Sequence, residues 1–189
     1  MTKIPFCFIC LIMVSSICAM PSATRRRVNV YASGGYIITR DKYLTGNFSD
    51  SSEVKMDYSG GPVVLAGLEY NRQNRLSLGL ESGHLNISYR NENINMVPVG
   101  INSWSDNSFA QGLFVLRIGF NFSYMYVVDH KFISNGLALG PQLSLCYELY
   151  DDLYITTNVK YLYFGMNDTR EHGHGSTLVP VTVGVIFRL

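Results

Sequence analysis

Residues 137–163 read LALGPQLSLCYELYDDLYITTNVKYLY. In the first half Leu137, Leu139, Pro141, Leu143, Leu145, Tyr147 and Leu149 share one parity, and Ala138, Gly140, Gln142, Ser144, Cys146 and Glu148 the other. After Asp151 and Asp152 the rule resumes: Leu153, Ile155, Thr157, Val159, Tyr161 and Tyr163 alternate with Tyr154, Thr156, Asn158, Lys160 and Leu162. A period of two sends successive side chains to opposite faces of an extended chain, so each half is a strand. Two adjacent acids between such runs suit a tight hairpin, because a short side chain that hydrogen-bonds its own backbone tolerates turn geometry. Asp151 and Asp152 are therefore read as turn residues rather than as a pair of catalytic acids.

The same alternation recurs on both sides of this hairpin. Residues 113–127 set Phe114, Leu116, Ile118, Phe120, Phe122, Tyr124 and Tyr126 against Val115, Arg117, Gly119, Asn121, Ser123 and Met125. The closing stretch from Leu178 to Leu189 sets Val179, Val181, Val183, Val185, Phe187 and Leu189 against Thr182, Gly184 and Arg188. Upstream, Arg27 to Thr39 and Pro62 to Tyr70 read as strands, with a polar turn from Asn71 to Asn74. From Arg75 to Tyr89 the apolar parity switches, from Leu76, Leu78 and Leu80 to Leu85, Ile87 and Tyr89, as an inserted residue near Gly83 would produce; a β-bulge is expected there. A strand from Ile94 to Asn102, interrupted by Pro98, is needed for an even count. The chain is thus all-β, with about eight antiparallel strands closed into a barrel.

Alternation alone fits both a membrane barrel, apolar outside, and a soluble lipocalin-like ligand-binding barrel, apolar inside. The second face decides. It carries Gly, Ser, Ala, Asn and isolated charges rather than the Lys, Glu and Thr of a solvated surface, which suits a narrow, filled lumen. Parity places Glu69, Glu81, Arg117, Glu148, Lys160 and Arg188 in that lumen, where opposite signs pair across a space as wide as side chains. Tyr124, Tyr126, Tyr147, Tyr161 and Tyr163 near strand ends suit the headgroup level of a bilayer.

The first nineteen residues read as an address. Lys3 gives a positive start, and Ile4 to Ile17 form an apolar run shorter than the ~20 residues of a membrane-spanning helix. Small residues around Ala19 then offer a cleavage point. The expected division is a signal peptide over 1–19 and a barrel over 20–189, with the mature chain starting near Met20. An uncleaved anchor helix is the alternative, and lipid attachment at Cys18 is disfavoured by Ile17 directly before it. Of the four cysteines, Cys7, Cys10 and Cys18 fall in this leader, so Cys146 alone remains and no internal disulfide forms. A net charge of +1 with 15% charged residues excludes the basic footprint of a nucleic-acid binder.

The leader, the alternating strands, the run GPQLSLCYELYDDLYITTNVKYLY from Gly140 to Tyr163 and the final VPVTVGVIFRL together resemble the small outer-membrane β-barrel superfamily, which includes OmpW-like, OmpX-like and opacity-type surface antigens. The resemblance covers nearly the whole mature chain and is one of pattern. It implies a location in the bacterial outer membrane, with membrane lipid and the barrel-assembly machinery as partners. Members end on an aromatic residue that this machinery reads, whereas this chain ends Phe187, Arg188, Leu189.

Chemistry-bearing candidates are few. His172, His174 and Ser176 lie together in an expected loop from Asn167 to Thr177 and echo the His-x-Ser of lipid A deacylase barrels, but no acid follows Ser176, and Glu171 precedes the pair in a Gly-rich stretch. Two histidines at i, i+2 make a weak metal site. His84 beside Gly83 is read as a lumen or bulge residue. Asn47, Asn86, Asn121 and Asn167 begin three-letter sequons that recur by chance. No catalytic residue, metal site or cofactor is expected, so the chain is not read as an enzyme. Two function classes follow. One is a structural, surface-interacting barrel (an adhesin or surface antigen) with a plugged lumen and loops near Arg40 to Ser52, Asp129 to Asn135 and Asn167 to Thr177 that meet a host or extracellular ligand. The other is a narrow, porin-like transporter of a small hydrophobic molecule.

Overall fold

The computed structural model describes residues 27–40, 58–72, 76–89, 92–110, 113–128, 135–166 and 174–189. The expected leader and most of the expected loops therefore lie outside the described residues. The strands are β1 (Arg27–Arg40), β2 (Tyr58–Ser59), β3 (Pro62–Arg72), β4 (Leu76–Tyr89), β5 (Glu92–Phe109), β6 (Phe114–Val128), β7 (Gly136–Tyr150), β8 (Leu153–Lys160), β9 (Leu162–Met166) and β10 (His174–Arg188). β2 and β3 follow one another along β4, and β8 and β9 along β10, so the ten elements form eight staves. Each stave pairs antiparallel with its neighbours, and β1 closes on β10 from Asn29↔Arg188 to Arg40↔Thr177. Closure matters because an unpaired N–H or C=O in hydrocarbon costs several kcal/mol, and a barrel has no edge.

Outside, the staves expose Ile38, Val64, Leu78, Ile101, Ile118, Phe120, Phe122, Leu143, Leu145, Val159, Tyr161, Val183 and Val185, among others. Soluble monomers rarely expose contiguous apolar surface of this extent. Inside lie Glu69, Glu81, Asn102, Arg117, Asn121, Gln142, Ser144 and Lys160, all buried. A soluble lipocalin-like barrel would show the opposite distribution, so that reading is set aside. Tyr124, Tyr126, Tyr147, Tyr161 and Tyr163 all point outward. Leu143 lies half-way along β7 on the lipid face. Leu143→Arg should therefore cost roughly 2 to 4 kcal/mol in denaturant unfolding from lipid vesicles. A loss no greater than that of an exposed turn substitution at Asp151 would contradict the assignment.

Five expectations need correction. His84, read as a lumen or bulge residue, is exposed on the outer face of β4. No bulge occurs at Gly83: β4 keeps one register with β3 from Val63↔Leu85 to Arg72↔Leu76, and with β5 on both sides of Gly83. The apolar parity switches because Leu85 and Ile87 point inward whereas Leu78 and Leu80 point outward. The strand expected at 94–102 is β5, running from Glu92 to Phe109. Asn71 and Arg72, expected in a turn, extend β3 opposite Ser77 and Leu76. The loop expected to run to Thr177 ends sooner, since His174 to Thr177 already pair with β9. The Asp151–Asp152 turn is a hairpin closed by Tyr150↔Leu153, with Asp152 at φ 68°, a left-handed conformation that Asp tolerates.

Prolines explain why one stave is split. The Tyr161 amide donates to the Pro141 carbonyl at 2.9 Å, and the register makes these two a hydrogen-bonding pair. On the other side the Arg188 amide donates to the Asp152 carbonyl at 2.8 Å, and counting back in twos makes Pro180 the partner of Lys160. Proline has no N–H to return. The consecutive carbonyls of Lys160 and Tyr161 thus each face a ring without a donor, and the ladder breaks between β8 and β9.

Candidate functional site: the barrel lumen

The inner faces change character along the barrel. At one end, called the turn end, lie the strand ends Arg72 and Leu76, Phe109 and Phe114, Tyr150 and Leu153, with Arg27 and Arg188; at the other, called the loop end, lie Arg40 and Tyr58, Tyr89 and Glu92, Val128 and Gly136, Met166 and His174. Outer-membrane barrels keep short turns on the periplasmic side and longer loops outside.

Toward the turn end the lumen is ionic. The Arg117 guanidinium donates to both Glu69 carboxylate oxygens, at 2.6 Å from Nη2 and 3.3 Å from Nη1, to Asp106 Oδ1 at 3.0 Å from Nε, and to Ser77 Oγ at 3.1 Å from Nη2. It also lies 4.7 Å from the centre of the Trp104 ring. Arg117 thereby spends its planar fork on two carboxylates, which is how a buried guanidinium is satisfied. Farther along, Lys160 pairs with Glu81. Glu81 also accepts the Tyr31 hydroxyl at 2.8 Å, and that hydroxyl accepts from Asn102 Nδ2 at 2.9 Å. Asn121 Nδ2 donates to Asn102 Oδ1 at 2.6 Å, and Ser123 Oγ to Asn121 Oδ1 at 2.7 Å. Gly67 makes room for this network, since a Cβ there would come within 2.5 Å of the Tyr31 hydroxyl.

The six charges placed in the lumen by parity thus meet unequally. Arg117 with Glu69, and Lys160 with Glu81, are direct pairs. Glu148 and Arg188 are half-buried at the turn-end mouth and meet through Tyr154: its hydroxyl donates to Glu148 Oε1 at 3.2 Å, and its ring lies 4.8 Å from Arg188 Cζ. Asp106, Tyr31 and Asn102 complete the network and were not singled out by sequence, whereas Asn121 joins them from the inner parity that the alternation gives it. Asp106 was missed because β5 was expected to stop at Asn102; the continued alternation Asn102, Trp104, Asp106 is the signal that finds it.

Toward the loop end the lumen is apolar. Ile37, Val63, Leu65, Leu85, Ile87, Ile94, Met96, Met125, Ala138, Leu162, Phe164 and Leu178 form one cluster. Ile37, Met96, Phe164 and Leu178 are 0% exposed, as are Asn102 and Asn121 in the polar half, so no void wide enough for water borders them. An eight-stave barrel has an interior that side chains alone can fill.

Among the described residues, no group of His, Cys, Asp and Glu is arranged to hold a metal ion. His172 and Glu171 lie outside the described residues, and for His174 and Ser176 only the backbone is described, opposite Met166 and Phe164. Cys146 is a buried thiol beside Ser144 and Thr156. Asn121 of the third sequon is inside the lumen, and Asn86 of the second bonds Asn95 at 2.8 Å.

A closed antiparallel barrel with an apolar belt outside and a packed, charge-paired interior is a small transmembrane β-barrel of the outer-membrane type. Solved structures agree on that fold. The chain is similar to Neisserial surface protein A (NspA), at 16% identity and TM-score 0.57 over 89% of this chain and 100% of that one. It is similar to the outer membrane protein OprG of Pseudomonas aeruginosa, at 11% identity and TM-score 0.55 over 85% and 95%. AlkL, solved in lipid bilayers, matches at 10% identity and TM-score 0.58 over 90% and 94%. No family model matches the sequence, and no curated protein does.

Proposed function

We propose that this protein is a closed barrel anchored in a bacterial outer membrane, whose role is structural and interactive: the barrel holds the loop-end segments 41–57, 129–134 and 167–173 at the cell surface to meet a host or extracellular ligand. The observation that carries the reading is the filled lumen, in which Asn102, Asn121, Met96 and Phe164 are 0% exposed. A barrel filled at both its polar and its apolar levels offers no path for a solute. The proposal includes export through the leader, with a mature chain beginning near Met20, and insertion by the barrel-assembly machinery. Replacing the three segments with short turns should leave heat-modifiable migration on gels intact and abolish attachment of expressing cells to matrix-coated surfaces. Unchanged attachment would overturn the interactive role. Liposomes carrying the protein should not swell in a small sugar, and swelling would overturn the closed state.

A second reading, passage of a small hydrophobic molecule, draws support from two features. The loop-end lumen is apolar and includes Met96 and Met125, whose unbranched side chains repack readily. The break at Lys160 and Tyr161 weakens the wall beside Leu162 and Phe164. This reading requires the apolar cluster to open.

A further inference from the structure

The outer face of the β4–β5 hairpin inverts along its length. On β4, outward Leu76, Leu78 and Leu80 give way to Ser82, His84, Asn86 and Ser88; on β5, Ser103 and Ser105 face Leu78 and Leu76 at the turn end, and outward Ile101, Val99 and Val97 then give way to Asn95 and Asn93. The inner face inverts the other way, from Ser77, Glu81 and Asn102 to Leu85, Ile87, Ile94 and Met96. Because β4 and β5 keep one register on both sides of Gly83, from Leu76↔Ser105 to Ser82↔Val99 and from Leu85↔Met96 to Tyr89↔Glu92, the change is one of surroundings and not of an inserted residue. A wall that is apolar outside and polar inside faces hydrocarbon. A wall that is polar outside and apolar inside faces water, as any half-buried soluble sheet does. Elsewhere at the loop end the outer face carries Ile38 on β1, Tyr126 and Val128 on β6, Leu137 on β7 and Tyr163 on β9, whereas Ser59 on β2, opposite Ser88, extends the polar face.

We propose that the loop-end part of this hairpin stands clear of the hydrocarbon and is a docking face for the sugar headgroups of glycolipid in the adjoining leaflet. The face continues the lipid belt on the same two strands, so whatever borders the hydrocarbon there borders this face as well. Its side chains are uncharged hydroxyls and amides with one imidazole: Ser82, His84, Asn86, Ser88, Asn93 and Asn95. These offer donors and acceptors together, as sugar hydroxyls do, and none of the described side chains of this face is charged. Asn86 and Asn95 hold each other across the strands at 2.8 Å, which fixes the centre of the face.

The test uses single cysteines on a Cys146→Ser background, with the full chain folded into nanodiscs and folding checked by heat-modifiable migration. His84→Cys, Ser88→Cys and Asn93→Cys are compared with Leu80→Cys and Ile101→Cys in the belt, Asp151→Cys at the turn end and Asn135→Cys elsewhere at the loop end. The probe is a membrane-impermeant maleimide, in discs of phosphatidylcholine alone or with added lipopolysaccharide. In phosphatidylcholine, positions 84, 88 and 93 should label at a rate comparable to 151, and 80 and 101 hardly at all. Lipopolysaccharide should slow labelling at 84, 88 and 93 several-fold, with 135 and 151 little changed. Belt-like silence at 84 and 93 in phosphatidylcholine would overturn the water-facing hairpin. Equal rates with and without lipopolysaccharide, or equal slowing at 135, would overturn the sugar-docking face and leave a surface open to water or to a protein partner.

Discussion

Arg117→Ala should destabilise the barrel by roughly 3 to 5 kcal/mol, the usual cost of removing one member of a buried ion pair and leaving its partner desolvated. The loss should sit at the upper end of that range, because two acids, Glu69 and Asp106, are held by this one guanidinium and Ser77 loses its donor. Glu69 and Arg117 are themselves buried, and the filled lumen leaves little space for water to take over. A double variant, Arg117→Met with Glu69→Gln, should recover part of the stability, since it removes the desolvated Glu69 charge and leaves only the less buried Asp106 without its partner. Denaturant titrations of vesicle-inserted protein, followed by Trp104 fluorescence, measure both. Equal losses in the single and double variants would show that Arg117 matters through its volume, not its charge.

At the other end of the lumen, Phe164→Ala should cost roughly 3 to 5 kcal/mol, the range for emptying a buried aromatic site. Phe164 is 0% exposed and belongs to the apolar cluster with Met96, Met125 and Leu178. Phe164→Leu, which keeps most of the volume, should cost much less. The same titration distinguishes them, and a Phe164→Ala loss as small as that of Phe164→Leu would mean that the cluster is loosely packed. These two variants probe the two halves, and their effects should add, because none of the partners of Arg117 named above belongs to the apolar cluster around Phe164.

Much of this architecture was legible in the alternation. In β7 from Leu137 to Leu149 and in β8 from Ile155 to Val159 every second residue faces out, as period two requires. The β4 reading failed for an instructive reason. A switch in apolar parity at Gly83 arises either from an inserted residue or from a change in what surrounds the wall, and a one-dimensional pattern does not separate the two. Register does, and it runs unbroken past Gly83. The lumen was legible in membership but not in pairing. Parity puts Arg117 and Glu69 on the inner face, yet their contact spans 48 residues of sequence and depends on the shear of the closed barrel. Pro98 and Pro180 argue locally against central strands, and closure overrode that preference at the cost of missing ladder bonds.

Single-channel recording in a planar bilayer tests the filled lumen most directly. With Lys160 paired to Glu81, Arg117 to Glu69 and Asp106, and the loop end packed around Phe164, wild-type protein should insert without steady conductance. Reproducible, steady unitary currents from folded wild-type protein would contradict the closed barrel and leave passage through the lumen as the better account.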